Sequence, residues 1–371
     1  MALPRSRRAP WYLEITHGIA MSDLLTRLLA EHDVLLADGA LGTNLFEMGL
    51  QTGDAPELWN LQHPDRIAAL AQRFIDAGAQ IVLTNSFGGN RHRLKLHQSQ
   101  DQVQTLNVAA AQILRKLVAQ ADRDIVVAGS MGPTGEILGP NGALTFDGAV
   151  DAFREQAKAL QAGGVDVLWV ETMSSEEEVR AACIAAHETG LPVVYTLSID
   201  TNGRTMMGVT AADVVRLSAE LSGMACACGA NCGVGAAEVV AAILNMQAAA
   251  DRLGIEPVLI ARANCGVPTY VDGKIVYNGT PELMARYACL ARDAGARIIG
   301  GCCGSTPTHI AAMRDALRDH APGARPDAAA LVAALGEISQ GARAQLGGDL
   351  RVEAGSVSGK AARRSRRARR H

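Results

Sequence analysis

The chain has 371 residues, 48% hydrophobic and 20% charged, which is enough apolar material for one barrel-sized core or two ordinary ones. No apolar run is long enough to cross a membrane as a helix, and eight cysteines in so long a chain do not make a disulfide scaffold. The net charge of −3 hides seven basic residues and no acid in 360–371, leaving an acidic body that argues against nucleic-acid binding and a tail that reads as a solvated terminus.

The first segment, residues 1–30, contains Arg5, Arg7 and Arg8 but no apolar stretch with a cleavage site, so it reads as an extension rather than a signal peptide. A helix is expected to begin near Met21. Eight β-prone apolar runs then recur along the chain: 34–37, 80–84, 125–130, 165–170, 192–198, 224–229, 257–261 and 297–299. They are continuously apolar, as parallel strands buried on both faces are. Amphipathic segments lie between them. Pro64 to Ala77 sets Ile67, Leu70, Phe74 and Ile75 on one face, and Asp147 to Ala162 does the same with Val150, Phe153, Ala157 and Leu160. Ser175, with three glutamates behind it, Thr280-Pro281 and Ser305-Thr306-Pro307 read as helix starts. Gly78, Gly163, Gly190 and Gly295 read as helix ends.

Eight strands alternating with helices predict an α/β fold, a single (β/α)8 TIM barrel over 31–322, in preference to a doubly wound sheet. Residues 323–371 are expected to hold one helix, around Asp327 to Leu346, and a disordered basic tail. In such a barrel the active site is built at the strand ends. Asp38, Thr84, Glu171, Cys232, Cys302 and Cys303 all fall there, far apart in sequence, and should converge on one mouth.

Neighbouring side chains in a strand point to opposite faces. Cys302 and Cys303 can therefore share a target only if the strand ends and the backbone turns, which the flanking glycines permit. Two thiolates, with Cys232 as a third, suit zinc, and three protein ligands leave a position open for catalysis. Cys265 is a rival third ligand, or a fourth that would close the site. A zinc held by three thiolates is poorly suited to making hydroxide. It suits a substrate thiol, which at a free pKa of ~8.5 is mostly protonated at neutral pH and is ionised by the metal. Alkylation of sulfur is the natural reaction. Cys183, Cys226, Cys228 and Cys289 read as small buried hydrophobes, and thiols kept free point to a reducing, cytoplasmic compartment.

Asp38 and Glu171 are two acceptors suited to a substrate ammonium. Backbone N–H groups from Gly39 to Thr43, with Thr84, suit a carboxylate. His63, His92, His97, His187 and His309 lack ligand spacing and read as surface or satisfied side chains.

The motifs Asp38-Gly39-Ala40-Leu41-Gly42-Thr43, Thr84-Asn85-Ser86-Phe87, Gly129-Ser130-Met131-Gly132-Pro133, Glu171-Thr172, Gly229-Ala230-Asn231-Cys232-Gly233 and Gly300-Gly301-Cys302-Cys303-Gly304 resemble those of the zinc-dependent homocysteine S-methyltransferases, in unbroken order over about 33–318. The resemblance implies a catalytic Zn2+ on Cys232, Cys302 and Cys303. It also implies homocysteine bound through sulfur, its amino group at Asp38 and Glu171, its carboxylate near Gly39 and Thr84, and methionine as product. Betaine-using members of the family cage their quaternary ammonium with aromatic residues. Two of those positions correspond here to Gly88 and Thr172, which argues against direct betaine use. The motifs look closer to the homocysteine module of cobalamin-dependent methionine synthase. The expected methyl donor is thus methylcobalamin on a separate corrinoid protein, because the residues beyond 322 are too few for a folate or cobalamin module. Betaine and S-methylmethionine are the other donors considered, and a non-catalytic zinc barrel partnering a corrinoid protein is the alternative from another class. Neither a membrane nor a nucleic acid is expected as a partner, and the chain could form an oligomer.

Overall fold

A computed structural model gives the structure of the chain and describes residues 23–271 and 274–348. The expected N-terminal extension up to residue 22 and the basic tail from 349 lie outside the described residues. The first helix, α1 (Leu24–Glu31), is capped by the Asp23 carboxylate and buries Leu25, Leu28 and Leu29. These three pack with Leu35, Ala37 and Ile81 at one end of the barrel interior. The packing of the barrel thus begins ahead of the expected boundary at residue 31.

All eight β-prone runs form strands: β1 (Leu35–Leu36), β2 (Ile81–Leu83), β3 (Val126–Met131), β4 (Val167–Met173), β5 (Val193–Ser198), β6 (Ala227–Cys232), β7 (Val258–Ala263) and, after a hairpin, β10 (Ala296–Gly301). They pair in parallel in the order β1-β10-β7-β6-β5-β4-β3-β2. A parallel bridge from Ala37 to Ile81 joins the two ends of the sheet and closes the ring. This is the expected TIM barrel.

Strand parity divides its core in two. Leu35, Ala37, Ile81, Val126, Val167, Trp169, Val194, Val258, Ile260 and Ile298 point inward and fill the barrel. The alternate strand residues, Val82, Val127, Leu168, Tyr195, Leu259 and Ile299 among them, pack outward against the helices. Every strand is buried on both faces, which is why its sequence reads as continuously apolar.

The helix boundaries follow local chemistry. The helix Pro64–Asp76 has proline in its first turn, and the helix Glu176–His187 is capped by the Ser175 hydroxyl, which accepts from the Glu178 N–H. The helix Phe146–Gly163 runs one residue past its expected end. Gly164, at φ 93°, takes the left-handed cap in place of Gly163.

Two elements differ from expectation. The connection after β7 carries an antiparallel hairpin, β8 (Pro268–Val271) with β9 (Lys274–Tyr277), that the sequence reading missed. The single helix expected over Asp327 to Leu346 is two, Ala328–Leu335 and Gln340–Leu346, parted at Gly336 with φ 101°. That positive φ cannot continue a helix. The second of these helices is tied to the barrel, since the Gly341 N–H donates to Asn202 Oδ1 and Gln345 Nε2 to the Gly203 carbonyl.

Candidate metal centre and substrate cavity

The sequence-predicted residues converge. A cavity of ≈ 400 Å³ opens at the C-terminal ends of the strands, and Gly39, Thr84, Glu171, Cys232, Cys302 and Cys303 all line it. Asp38 lies buried beside it, bonded to the lining residue Arg262.

The three cysteines reach one point by two backbone devices. Ala227, the first residue of β6, points inward with the barrel core, so regular alternation would turn Cys232 outward. Cys232 instead adopts φ 58°, rare for a residue with a Cβ, and this swings its thiol back to the others. β10 ends at Gly301, and the chain turns at once, with the Ser305 N–H donating to the Cys302 carbonyl at 3.1 Å. Gly304 at φ 78° completes the turn. A Cβ there would stand 2.2 Å from the Tyr277 ring, so the turn and the packing of the hairpin both require glycine. Gly39 is required for a different reason, as a Cβ would meet Phe74 at 2.8 Å and the Ser305 carbonyl at 2.9 Å. Its absence lets the end of β1 approach the cysteine turn.

Cys232 Sγ lies 3.1 Å from Cys302 Sγ and 3.7 Å from Cys303 Sγ, and all three sulfurs fall within 4.8 Å of one another. Sulfurs sharing a tetrahedral metal with bonds of ~2.3 Å sit ~3.8 Å apart. The donor set can therefore gather round one metal ion, with Cys232 and Cys302 closer together than that spacing. Among the described residues this is the single such group of cysteine, histidine and carboxylate side chains. Cys265 is not in it. Its thiol is buried and donates to the Gly279 carbonyl at 3.2 Å, so the reading of Cys265 as a third or fourth ligand is set aside. Hydrogen bonds from the Cys232 and Cys302 thiols, with a smaller one from Tyr277, hold the Cys303 thiol below its ordinary value.

Asn231, fully buried, organises the wall behind these sulfurs. Its Oδ1 accepts from the Thr172 N–H at 3.0 Å and the Thr196 hydroxyl at 2.7 Å. Its Nδ2 donates to Thr172 Oγ1 at 2.7 Å and approaches Cys302 Sγ at 3.8 Å. Thr172 has φ 62°, a strained conformation for a β-branched residue that the Asn231 amide holds in place.

The two carboxylates are not free, as the sequence reading pictured them. Arg262, 3% exposed, stands between them. Its Nη2 donates to Asp38 Oδ1 at 2.8 Å and its Nη1 to Glu171 Oε2 at 3.1 Å. Asp38 Oδ2 accepts from the Leu83 N–H, and Glu171 Oε1 from the Ser130 hydroxyl. Burial raises the Asp38 carboxyl to about 7 against the opposing pull of Arg262, and Glu171 is raised for the same reason. Sequence reasoning missed Arg262 because it follows an apolar run. The signal was present, since it shares the inward parity of Val258 and Ile260, and a charge pointing into a barrel requires a partner.

Thr84 takes a narrower role than expected. The Ser86 hydroxyl donates to the Ser130 carbonyl at 2.7 Å, so across the 2.5 Å contact Thr84 must be the donor to Ser86. Thr84 Oγ1 also accepts from the Ser130 N–H. Its proton is committed within the wall. The backbone from Leu41 to Thr43 stays available, as no side chain caps the start of that helix. His97, read as a surface or satisfied residue, lines the outer cavity with Arg93, Asp54 and Glu57. His309 is satisfied as expected, its Nδ1 pairing with Thr306.

The chain is 29% identical over 309 residues to a methionine synthase of Mycobacterium leprae, covering 78% of this chain and 24% of that protein. A methionine synthase of Mycobacterium tuberculosis is 29% identical over 297 residues, covering 75% and 24%. The chain therefore spans about a quarter of the length of these relatives. The crystal structure of the homocysteine methyltransferase MmuM from Escherichia coli, in its metallated form, superposes with a TM-score of 0.66 at 25% identity, covering 79% of this chain and 99% of that one. Residues 35–317 match the family described as homocysteine S-methyltransferase, and the chain belongs to that family.

Proposed function

We propose that this chain is a zinc-dependent homocysteine S-methyltransferase that forms methionine. The observation that carries the reading is the meeting of Cys232, Cys302 and Cys303 in the wall of a cavity whose depth holds the buried Asp38–Arg262–Glu171 cluster. Zinc held by the three sulfurs supplies the positive charge that keeps an incoming thiol ionised at neutral pH.

The protein groups do the rest by position. Each oxygen of Asp38 and Glu171 has one hydrogen-bond partner here and a lone pair to spare, so the pair can take the homocysteine ammonium. Leu41, Gly42 and Thr43 line the cavity at an uncapped helix start, and their N–H groups would receive the carboxylate. Held at both ends, homocysteine presents its sulfur to the donor in a fixed line, which lowers the entropic part of the barrier. The sulfur lone pair forms the new bond to the methyl carbon as the bond from that carbon to the leaving group breaks, its electron pair leaving with that group. No proton has to move once the thiol is ionised.

For the donor we propose methylcobalamin carried on a corrinoid protein, which leaves as cob(I)alamin. Two features support a macromolecular donor over betaine. By the resemblance to betaine-using members, Gly88 and Thr172 stand at positions that carry cage aromatics there. The loops at the cavity end of the barrel expose Phe46, Ile137, Met206, Met207, Val234 and Val267, a rim suited to docking. Eight free thiols and no helix long and apolar enough to cross a membrane, among the described residues, accord with a cytoplasmic enzyme. The test is a donor screen. Zinc-loaded protein and homocysteine are offered methylcobalamin, betaine or S-methylmethionine, and methionine is measured. Methionine from methylcobalamin alone supports the reading, turnover with betaine alone overturns the donor, and no methionine from any donor overturns the function.

A further inference from the structure

The guanidinium of Arg262 lies inside the barrel, 5.7 Å above the Trp169 ring, with its Nε donating to the Gly301 carbonyl at 3.1 Å. Its Nη2 also approaches the carbonyls of Asp38 and Gly39, at 3.4 Å each. It is therefore fixed by backbone as well as by its two carboxylates. We propose that Arg262 is a specificity-determining residue of the homocysteine seat: it bridges Asp38 and Glu171, favours the carboxylate form of both against one ammonium, and leaves the seat one net negative charge when both are ionised.

The inference rests on the homocysteine reading above. Two carboxylates buried side by side repel each other and hold a proton between them at neutral pH. A carboxyl group that keeps its proton is a weak partner for an ammonium. A cation placed between them removes the repulsion without filling the seat, because each carboxylate oxygen keeps a lone pair. One negative charge then remains, matched to one ammonium. A thiol of the same length without an amino group gains nothing from that charge and leaves it unpaired. Lysine could supply the charge but not two parallel N–H bonds from one rigid plane. Burial of Asp38 and Glu171 works against their ionisation, and the pull of Arg262 opposes it.

The test uses zinc-loaded protein and isothermal calorimetry with two thiols, homocysteine and 4-sulfanylbutanoate, which lacks the ammonium. Wild type should favour homocysteine. Arg262→Met should weaken homocysteine roughly tenfold or more, the scale of a lost charge-assisted contact, and leave 4-sulfanylbutanoate within about twofold, so that the preference collapses. Arg262→Lys should fall between, and it decides the matter if the methionine variant does not fold. Zinc content near one per chain verifies that the metal centre is untouched. Unchanged or tighter homocysteine binding in Arg262→Met would show that the guanidinium competes with the ammonium and would overturn the inference. Equal weakening of both thiols would reduce Arg262 to a structural role and overturn it too. If wild type binds neither thiol, the homocysteine reading itself fails. If it binds homocysteine and the preference survives in both variants, only the inference fails.

Discussion

Glu171→Gln separates binding from chemistry most cleanly. Glu171 accepts from the Ser130 hydroxyl at 2.5 Å and from Arg262 Nη1 at 3.1 Å. Glutamine has the same shape. Its carbonyl can keep the Arg262 bond, and its amide can donate to Ser130 once that hydroxyl turns, so no buried group is orphaned and the barrel should fold. Alanine would instead strip a buried arginine of one partner, at about 3–5 kcal/mol. What the glutamine removes is one negative charge from the ammonium seat. A hydrogen bond to a charged group contributes about 1.5–3 kcal/mol, which corresponds to roughly 10- to 150-fold in affinity. Initial rates against homocysteine concentration should show KM raised by that factor with kcat within roughly threefold, the pattern of lost ground-state binding. An unchanged KM with kcat reduced 100-fold or more, on the order of 3 kcal/mol, would place Glu171 in the chemical step and refute the reasoning.

Three further outcomes are expected. Cys303→Ala should lose both metal and methyl transfer while its circular dichroism stays native, because Cys303 sits in the half-buried turn after β10 and in none of the buried apolar clusters; a metal-free variant with full activity would contradict this. Asp38 binds an ammonium only as a carboxylate and is raised to about 7 by burial, so KM for homocysteine should fall as the pH rises through about 7, and in Asp38→Asn it should be high and flat across that range. Stability runs the other way. The folded state holds this proton more tightly than the unfolded chain, so the contribution is complete below pH ~4 and is lost as pH rises to about 7. Urea titrations of Asp38→Asn should lack that decline.

The architecture was legible because its determinants are local. Eight apolar runs, buried on both faces, cannot be satisfied without helices on the outside, and proline starts and glycine ends mark those helices. The site was legible because strand ends share one face of a barrel, so Asp38, Glu171, Cys232, Cys302 and Cys303 could be grouped without knowing any distance. What stayed hidden depends on side-chain direction and on pairing. Arg262 shows itself only when inward parity is counted along β7. The left-handed turn at Cys232 has no residue signature, since cysteine does not favour positive φ. The proton order that commits Thr84 to Ser86 requires the neighbours of Ser86 to be known. The β8–β9 hairpin left a signal that went unread, an Asp272-Gly273 pair between two β-prone runs. The break in the C-terminal helix was marked by Gly336.

The central claim is that three sulfurs hold one metal and leave room for a fourth. X-ray absorption at the zinc edge, on protein purified without added metal and then with homocysteine, tests it directly. The account predicts about one zinc per chain, with three sulfur neighbours that become four when homocysteine is added. Four sulfur neighbours before homocysteine, or a metal shell indifferent to it, would contradict the account.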